Sequence, residues 1–246
     1  MEENFARVET KYMLTLPQAE ILQQGLFRRG FRRMDFGSPR VQSLYYDSPD
    51  YRLIRASLER PAYKEKLRLR AYGDSGGLSK GYVEIKKKYN GVVYKRRTAM
   101  GLQEASEALC LGRLPAEAGQ VGREASWMLQ QYGLVPAAVI TYDRDAWFCE
   151  TDPGVRITFD RNLSFRRRFL DLNACVPGLP LLREDLRLAE IKTNGTCPLW
   201  LARLLYEAGA QRTHFSKYGL AYRNYILPDS EGSGVKCSTV SFPMGA

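Results

Sequence analysis

The residues with chemical potential in this chain are Lys and Arg set at every second position, with single carboxylates among them. Side chains alternate faces along a β-strand, so residues i, i+2 and i+4 point the same way. In RVETK, Arg7, Glu9 and Lys11 share a face. In KLRLR, Lys66, Arg68 and Arg70 share one, opposite Leu67, Leu69 and Ala71. In YVEIKKK the shared face is Tyr82, Glu84, Lys86 and Lys88; in TYDRD it is Tyr142 and Arg144. VRITFD aligns Arg156, Thr158 and Asp160, and LAEIKT aligns Glu190 and Lys192. One such face alone is the ordinary solvated side of a half-buried sheet. Six together, dominated by Lys and Arg, repel one another unless an anion lies among them. Guanidinium forks match phosphate oxygens in pairs, and ammonium groups supply point charges. Glu9, Glu84 and Glu190 sit among those cations. A hard divalent ion, Mn²⁺ or Mg²⁺, takes a few carboxylates plus water and substrate phosphate. Cationic walls with a carboxylate-held metal suit polyphosphate chemistry.

Composition narrows the alternatives. The 246 residues carry 37 Lys and Arg against 27 Asp and Glu, a formal charge of +10 that favours a polyanionic partner: nucleic acid, a phosphorylated metabolite or an anionic membrane. His214 is the only histidine, which excludes His-rich zinc sites and H-E-x-x-H proteases. No G-x-x-x-x-G-K-[ST] and no H-R-D loop is present, so P-loop enzymes and protein kinases are excluded too. The five cysteines are scattered without a C-x-x-C pair, which argues against a zinc ribbon or a disulfide framework and for a reducing, cytoplasmic location. No apolar run approaches the roughly 20 residues of a membrane helix, and MEENFARVETKYMLTL lacks a signal-peptide block.

Strands are expected over 5–16, 41–47, 63–72, 80–89, 92–100, 137–149, 154–160 and 186–193. Helices are expected over 17–29, 103–111, 121–132, 198–208 and 216–226, the first with Ile21, Leu22, Leu26 and Phe27 on its apolar side and Gly30 at its end. Asn90-Gly91 marks a hairpin, SPDY a turn capped by Asp47 and Asp50, and 161–185 reads as irregular. The expectation is one α+β domain over 1–228, an antiparallel closed β-barrel of about eight strands with a cationic interior and helices outside, followed by a flexible tail over 229–246.

The ordered series RVETKY, SLYYDSPDY, KLRLRAYG, YVEIKKK, YKRR, TYDRDAW, VRITFD, AEIKTNG, PLWL and FSKYG resembles the VTC domain, the catalytic domain of the vacuolar transporter chaperone complex. Bacterial proteins with this domain are polyphosphate polymerase-like. The family lies within the triphosphate tunnel metalloenzymes (CYTH-like), whose signature is an E-x-E-x-K strand. The resemblance covers about residues 5–226. It implies an antiparallel β-tunnel, a triphosphate or polyphosphate inside it, and a divalent metal. By motif it assigns Lys11, Arg68, Arg70, Lys86, Arg144, Arg156, Lys192 and Lys217 to the phosphate chain, with Glu190 as the leading metal ligand and Glu9 and Glu84 secondary. One departure is Arg7, which stands where E-x-E-x-K has its first Glu. The VTC branch tolerates a basic residue there.

The function so implied is metal-dependent transfer of the γ-phosphoryl group of ATP to a growing polyphosphate chain. Catalytic roles fall to Arg68, Arg70, Lys86, Arg144 and Arg156. Substrate-binding roles fall to Lys11, Lys66, Lys88, Arg97, Lys192, Lys217 and Tyr142, the tyrosine stacking on a base, touching phosphate or packing. Partners are a nucleoside triphosphate and polyphosphate. Nucleic acid is not expected, and a membrane partner and the oligomeric state stay open. Two alternatives remain: a tunnel triphosphatase or polyphosphatase, and a non-catalytic polyanion-binding module. Arg166, Arg167 and Arg168 are read as solvent-exposed, or as a polyanion guide at the tunnel mouth.

Overall fold

The computed structural model describes residues 7–35, 39–59, 61–90 and 92–230. The expected tail beyond 230 and Gly91 of the hairpin lie outside the described residues. Eleven strands form one sheet: β1 (Arg7–Thr15), β2 (Arg32–Arg33), β3 (Arg40–Asp47), β4 (Tyr63–Tyr72), β5 (Lys80–Tyr89), β6 (Val92–Gly101), β7 (Val135–Phe148), β8 (Val155–Arg166), β9 (Leu179–Pro180), β10 (Leu186–Asn194) and β11 (Gln211–Arg212). The helices are α1 (Leu16–Arg28), α2 (Arg52–Leu58), α3 (Leu102–Cys110), α4 (Gly119–Tyr132), α5 (Leu199–Glu207) and α6 (Lys217–Ala221), the last continuing through a π-turn at Tyr222–Ile226 into α7 (Leu227–Ser230).

Every strand pair is antiparallel, in the order β11-β1-β10-β8-β7-β3-β4-β5-β6, with β2 on β7 and β9 on β8. The closed eight-stranded barrel is therefore corrected. The hydrogen-bonded path is open, because β11 takes the outer edge of β1, while β6 bonds only to β5 and exposes Val92–Arg97 residue after residue. The sheet still curls. Register shifts at Tyr45/Tyr46 and between Thr141 and Asp143 add local twist. Side chains meet across the gap: Lys86 Nζ on β5 lies 3.9 Å from Glu9 Oε2 on β1.

The apolar faces turn outward, as alternation requires. Leu67, Leu69, Val83 and Ile85 pack under α3 and α4 with Leu109 and Met128. Leu14, Ile157, Phe159 and Ile191 pack under α1 and α5 with Leu22, Leu26 and Leu201. A third cluster lies at one end of the concave face, where Tyr45, Ile140 and Tyr142 meet Ile54 of α2 and Tyr218 of α6.

Two departures from the expected elements have local causes. Helix α2 follows what read only as a turn. Asp47, fully buried, accepts from the backbone N–H of Ser48, Leu53 and Ile54 at 2.8–3.0 Å, and Ser48 Oγ accepts from Arg52 N–H. Those acceptors satisfy the free donors of a helix N-terminus. Strand β8 runs on to Arg166, which is buried rather than exposed: its guanidinium donates to the carbonyls of Phe169, Asp171 and Val176 and pins the following loop. Arg167 and Arg168 are exposed.

Candidate functional site

Seven strands, β1, β4, β5, β6, β7, β8 and β10, and the start of α6 line a single lumen that gathers most of the expected residues. On β4, Arg68 and Arg70 reach Glu84 of β5 at 2.7 and 3.7 Å, and Lys95 of β6 reaches it at 2.7 Å. Arg68 also donates to Tyr45 Oη at 3.0 Å, and Arg70 to Ser43 Oγ and Tyr142 Oη. Facing these, Glu190 on β10 receives Lys11 of β1 at 3.4 Å, Arg144 of β7 at 3.0 Å and Lys217 of α6 at 3.0 Å. Arg144 grips Asp160 of β8 through two hydrogen bonds of 2.6 and 2.7 Å, and Lys217 lies 2.6 Å from the same carboxylate. The Tyr142 ring lies beneath Lys217 and Arg144. Glu9 sits between Lys11 at 3.4 Å and Lys86 at 3.9 Å.

Ser216 sets the position of α6. Its Oγ accepts from Gly219 N–H as the N-cap and from Lys66 Nζ at 3.3 Å, while Lys11 Nζ donates to Phe215 O at 3.1 Å. Lys192 pairs in register with Glu9 and Arg156, so its alternation places it on this face. Arg156, Lys88 and Arg97 lie on the same alternating faces nearer solvent and make no ion pair among the described residues; Arg97 covers the Tyr82 ring at 5.0 Å. The side chain of Arg7 lies outside the described residues, and His214 is exposed.

Charge sets the ionisation of the lumen. Burial would raise the Glu84 carboxyl, but Arg68, Arg70 and Lys95 overcome it and hold it down at about 2. Glu190 is buried and still held well below the usual carboxylate range, by Lys217, Lys11, Arg144 and Lys192. At Glu9, burial and Glu190 oppose ionisation, and Lys86, Lys11 and Lys192 prevail. Burial pulls Lys66 and Lys95 down to about 8. Tyr45 resists its own burial because Arg68, Arg70 and Lys66 surround it, and is lowered to about 8.

Sequence reasoning missed two participants. Lys95 stands two residues before Arg97 and shares its face; Asp160 lay on the Arg156 face of VRITFD without a role. Tyr45, read with Tyr46, Tyr82 and Tyr142 as packing or as touching base or phosphate, packs on Tyr218 and bonds Arg68. The pairing of each with its partner depends on a neighbouring strand.

A divalent ion fits this donor set only as a site shared with substrate. Glu9 and Glu190 each lie 3.4 Å from the one Lys11 ammonium. Thr158, in register with Glu190, has a buried hydroxyl with no hydrogen-bond partner among the described residues. Glu84 is engaged by three basic side chains. Among the described residues no group of three acidic, His or Cys side chains forms a metal cage. One or two carboxylates plus phosphate oxygens is the arrangement Mg²⁺ accepts.

Residues 6–226 match the VTC domain. The chain belongs to the VTC domain family. One solved structure shares the fold at a TM-score of 0.50, and two others align at lower scores. A candidate adenylate cyclase from Bacillus halodurans aligns over 86% of this chain and 95% of its own, at 12% identity and a TM-score of 0.50. A candidate adenylate cyclase from Vibrio parahaemolyticus aligns over 87% and 96%, at 16% identity and a TM-score of 0.47. A protein from Pyrococcus horikoshii OT3 aligns over 88% and 99%, at 15% and 0.45. No curated protein matches the chain.

Proposed function

We propose that this VTC domain is a polyphosphate polymerase, moving the γ-phosphoryl group of ATP onto the end of a polyphosphate chain held in the lumen. One observation carries the reading. Each of the four lumen carboxylates, Glu9, Glu84, Asp160 and Glu190, already has two or three basic partners. Lys66, Lys88, Arg97, Arg156 and Lys192 remain without an ion pair among the described residues. That surplus of positive charge calls for a polyanion.

Phosphoryl transfer depends mainly on alignment and on stabilising charge at the transferred group. Arg68 and Arg70 are held rigid by Glu84, Tyr45, Ser43 and Tyr142, so their donors are oriented before substrate arrives. Arg144 and Lys217 are fixed likewise by Asp160 and Glu190. Lys11, Lys86, Lys192 and Arg156 neutralise the phosphates beyond. A terminal phosphate is already ionised near neutral pH, so the acceptor needs no general base. Glu190 and Glu9 would hold a divalent ion, Mn²⁺ or Mg²⁺, which supplies charge neutralisation at the phosphate oxygens when bound.

The test is incubation of the pure protein with ATP and Mn²⁺, resolving products on a gel and by free-phosphate release. Long chains are the expected product. Orthophosphate alone would make this a triphosphatase, with Glu9, the most exposed of the four carboxylates, placed to orient water. Tight polyphosphate binding without turnover would make it a binding module.

A further inference from the structure

Helix α1 presents a surface that its sequence pattern conceals. Ile21 and Phe27 were expected beside Leu22 and Leu26 in the core, yet they stand 43% and 59% exposed. The helix lies antiparallel to α5. Gln18 Nε2 donates to Gly209 O at one end, and the Arg29 guanidinium covers the Trp200 ring at 4.6 Å at the other. Between them Gly25 touches Leu204 so closely that a Cβ there would come within 2.3 Å of Leu204 Cδ1. From α5, Leu199 and Tyr206 stand 67% and 87% exposed. A cavity of about 510 Å³ opens between the helices, with Arg28, Arg29 and Arg203 in its wall and Glu207 the acid beside them. Arg32 lies over the exposed Phe27 ring at 4.6 Å. Arg28, Arg29, Arg32 and Arg203 make no ion pair among the described residues. None of these groups serves the lumen: α1 and α5 cover the outer face of β1 and β10, whereas Glu9, Lys11 and Glu190 point from the other face.

We infer that the α1–α5 face docks on an anionic lipid bilayer. Side chains that join an apolar or aromatic body to a cationic tip are stable at a membrane–water boundary. Unpaired arginines near the surface are drawn to anionic headgroups, each adding to the affinity. Phe27, Ile21 and Leu199 supply the shallow apolar insertion that charge alone lacks. The contact of Gly25 with Leu204 closes the floor, and the apolar groups stand on the rim. A partner helix needs a continuous apolar trough instead. Among the described residues no helix is long and apolar enough to cross a membrane; the contact inferred is with the bilayer surface. Because the face and the lumen lie on opposite sides of β1 and β10, docking leaves the lumen free for its phosphates.

The experiment is co-sedimentation of the full chain with vesicles of phosphatidylcholine alone, and with about a third of it replaced by phosphatidylglycerol. The protein is expected to sediment with the anionic vesicles only. The double variant Arg28→Glu/Arg203→Glu should weaken binding by about tenfold or more. Arg113→Glu/Arg123→Glu, an equal charge change at exposed positions elsewhere, should weaken it far less. Phe27→Ser/Leu199→Ser should release the protein at high salt, where Trp127→Ser, also exposed, should not. All four variants should bind polyphosphate in solution as the parent does, which separates this face from the lumen and its proposed reaction. Equal losses in the two charge-reversed pairs would reduce the effect to net charge and overturn the inference. Failure of the parent to sediment, with a poly-glutamate peptide binding and Arg28→Glu/Arg203→Glu abolishing that, would assign the face to an acidic protein segment instead.

Discussion

Arg70 shows what a single side chain does in this lumen. Its guanidinium is buried, bonded to Ser43 and Tyr142, and 3.7 Å from Glu84, so its free edge is aimed before any phosphate enters. Arg70→Ala is expected to cost about 3 kcal/mol of transition-state stabilisation, as loss of one preorganised donor does. Turnover near that of the parent in a folded variant would remove Arg70 from the reaction. Tyr45 acts at one remove. Its hydroxyl holds Arg68 at 3.0 Å while its ring stacks on Tyr218 at 4.7 Å. Tyr45→Phe keeps the stack and loses the hydroxyl. A fall of about tenfold in kcat/KM with unchanged unfolding midpoint is expected, from one lost hydrogen bond to a charged group. Unchanged kinetics would show that Glu84 alone positions Arg68.

At the scale of elements, α2 and α6 depend on each other through Asp47. The carboxylate accepts three backbone N–H bonds at the start of α2 and a fourth bond from the Tyr218 hydroxyl of α6 at 3.0 Å. Tyr218 in turn supports Tyr45. Asp47→Ala is expected to lower stability by about 2 kcal/mol or more, since it removes a cap and leaves buried donors unpaired. Urea denaturation measures this, and a loss of only a few tenths would show that the helix caps itself. SLYYDSPDY contained the signal for α2, Asp47-Ser48 ahead of an apolar Leu53-Ile54 pair. It read as a turn because a fully buried aspartate is implausible until Tyr218, 171 residues away, is known to meet it.

The whole molecule is a collection of cations awaiting an anion, and its pH dependence follows. Glu84 titrates near 2 in the folded protein, below its unfolded value. Its contribution to stability is present above the unfolded carboxyl range and lost as pH falls from about 4.5 toward 2. Glu84→Gln should flatten that limb of a stability-versus-pH curve, and an unchanged limb would refute the assignment. Lys66 and Lys95 are lowered as well, because burial disfavours their charged form. Their folded values near 8 lie below the unfolded one, so the protein without ligand gains stability as pH rises through 8 toward 10.5. The same loss of charge should weaken polyphosphate binding above pH 8, beyond what Lys66→Met shows. Isothermal titration at pH 7 and 9 measures both, and equal affinities would place those lysines away from the chain.

The sequence by itself determined which charged residues share a face and most of the elements. Period-two alternation is local, so Arg68, Arg70, Lys86, Arg144 and Glu190 could be assigned to one class of face from their own strands. The ordered family motifs identified the VTC domain. Only the tertiary structure decided which cation meets which carboxylate, that Lys95 and Asp160 belong to the lumen, and that β5 and β1 face each other through side chains without a shared ladder. It also turned Ile21 and Phe27 outward. Each of those depends on how far the sheet curls and where α5 and α6 return to it. That curvature is the sum of small twists over many strands, and no short stretch of chain records it.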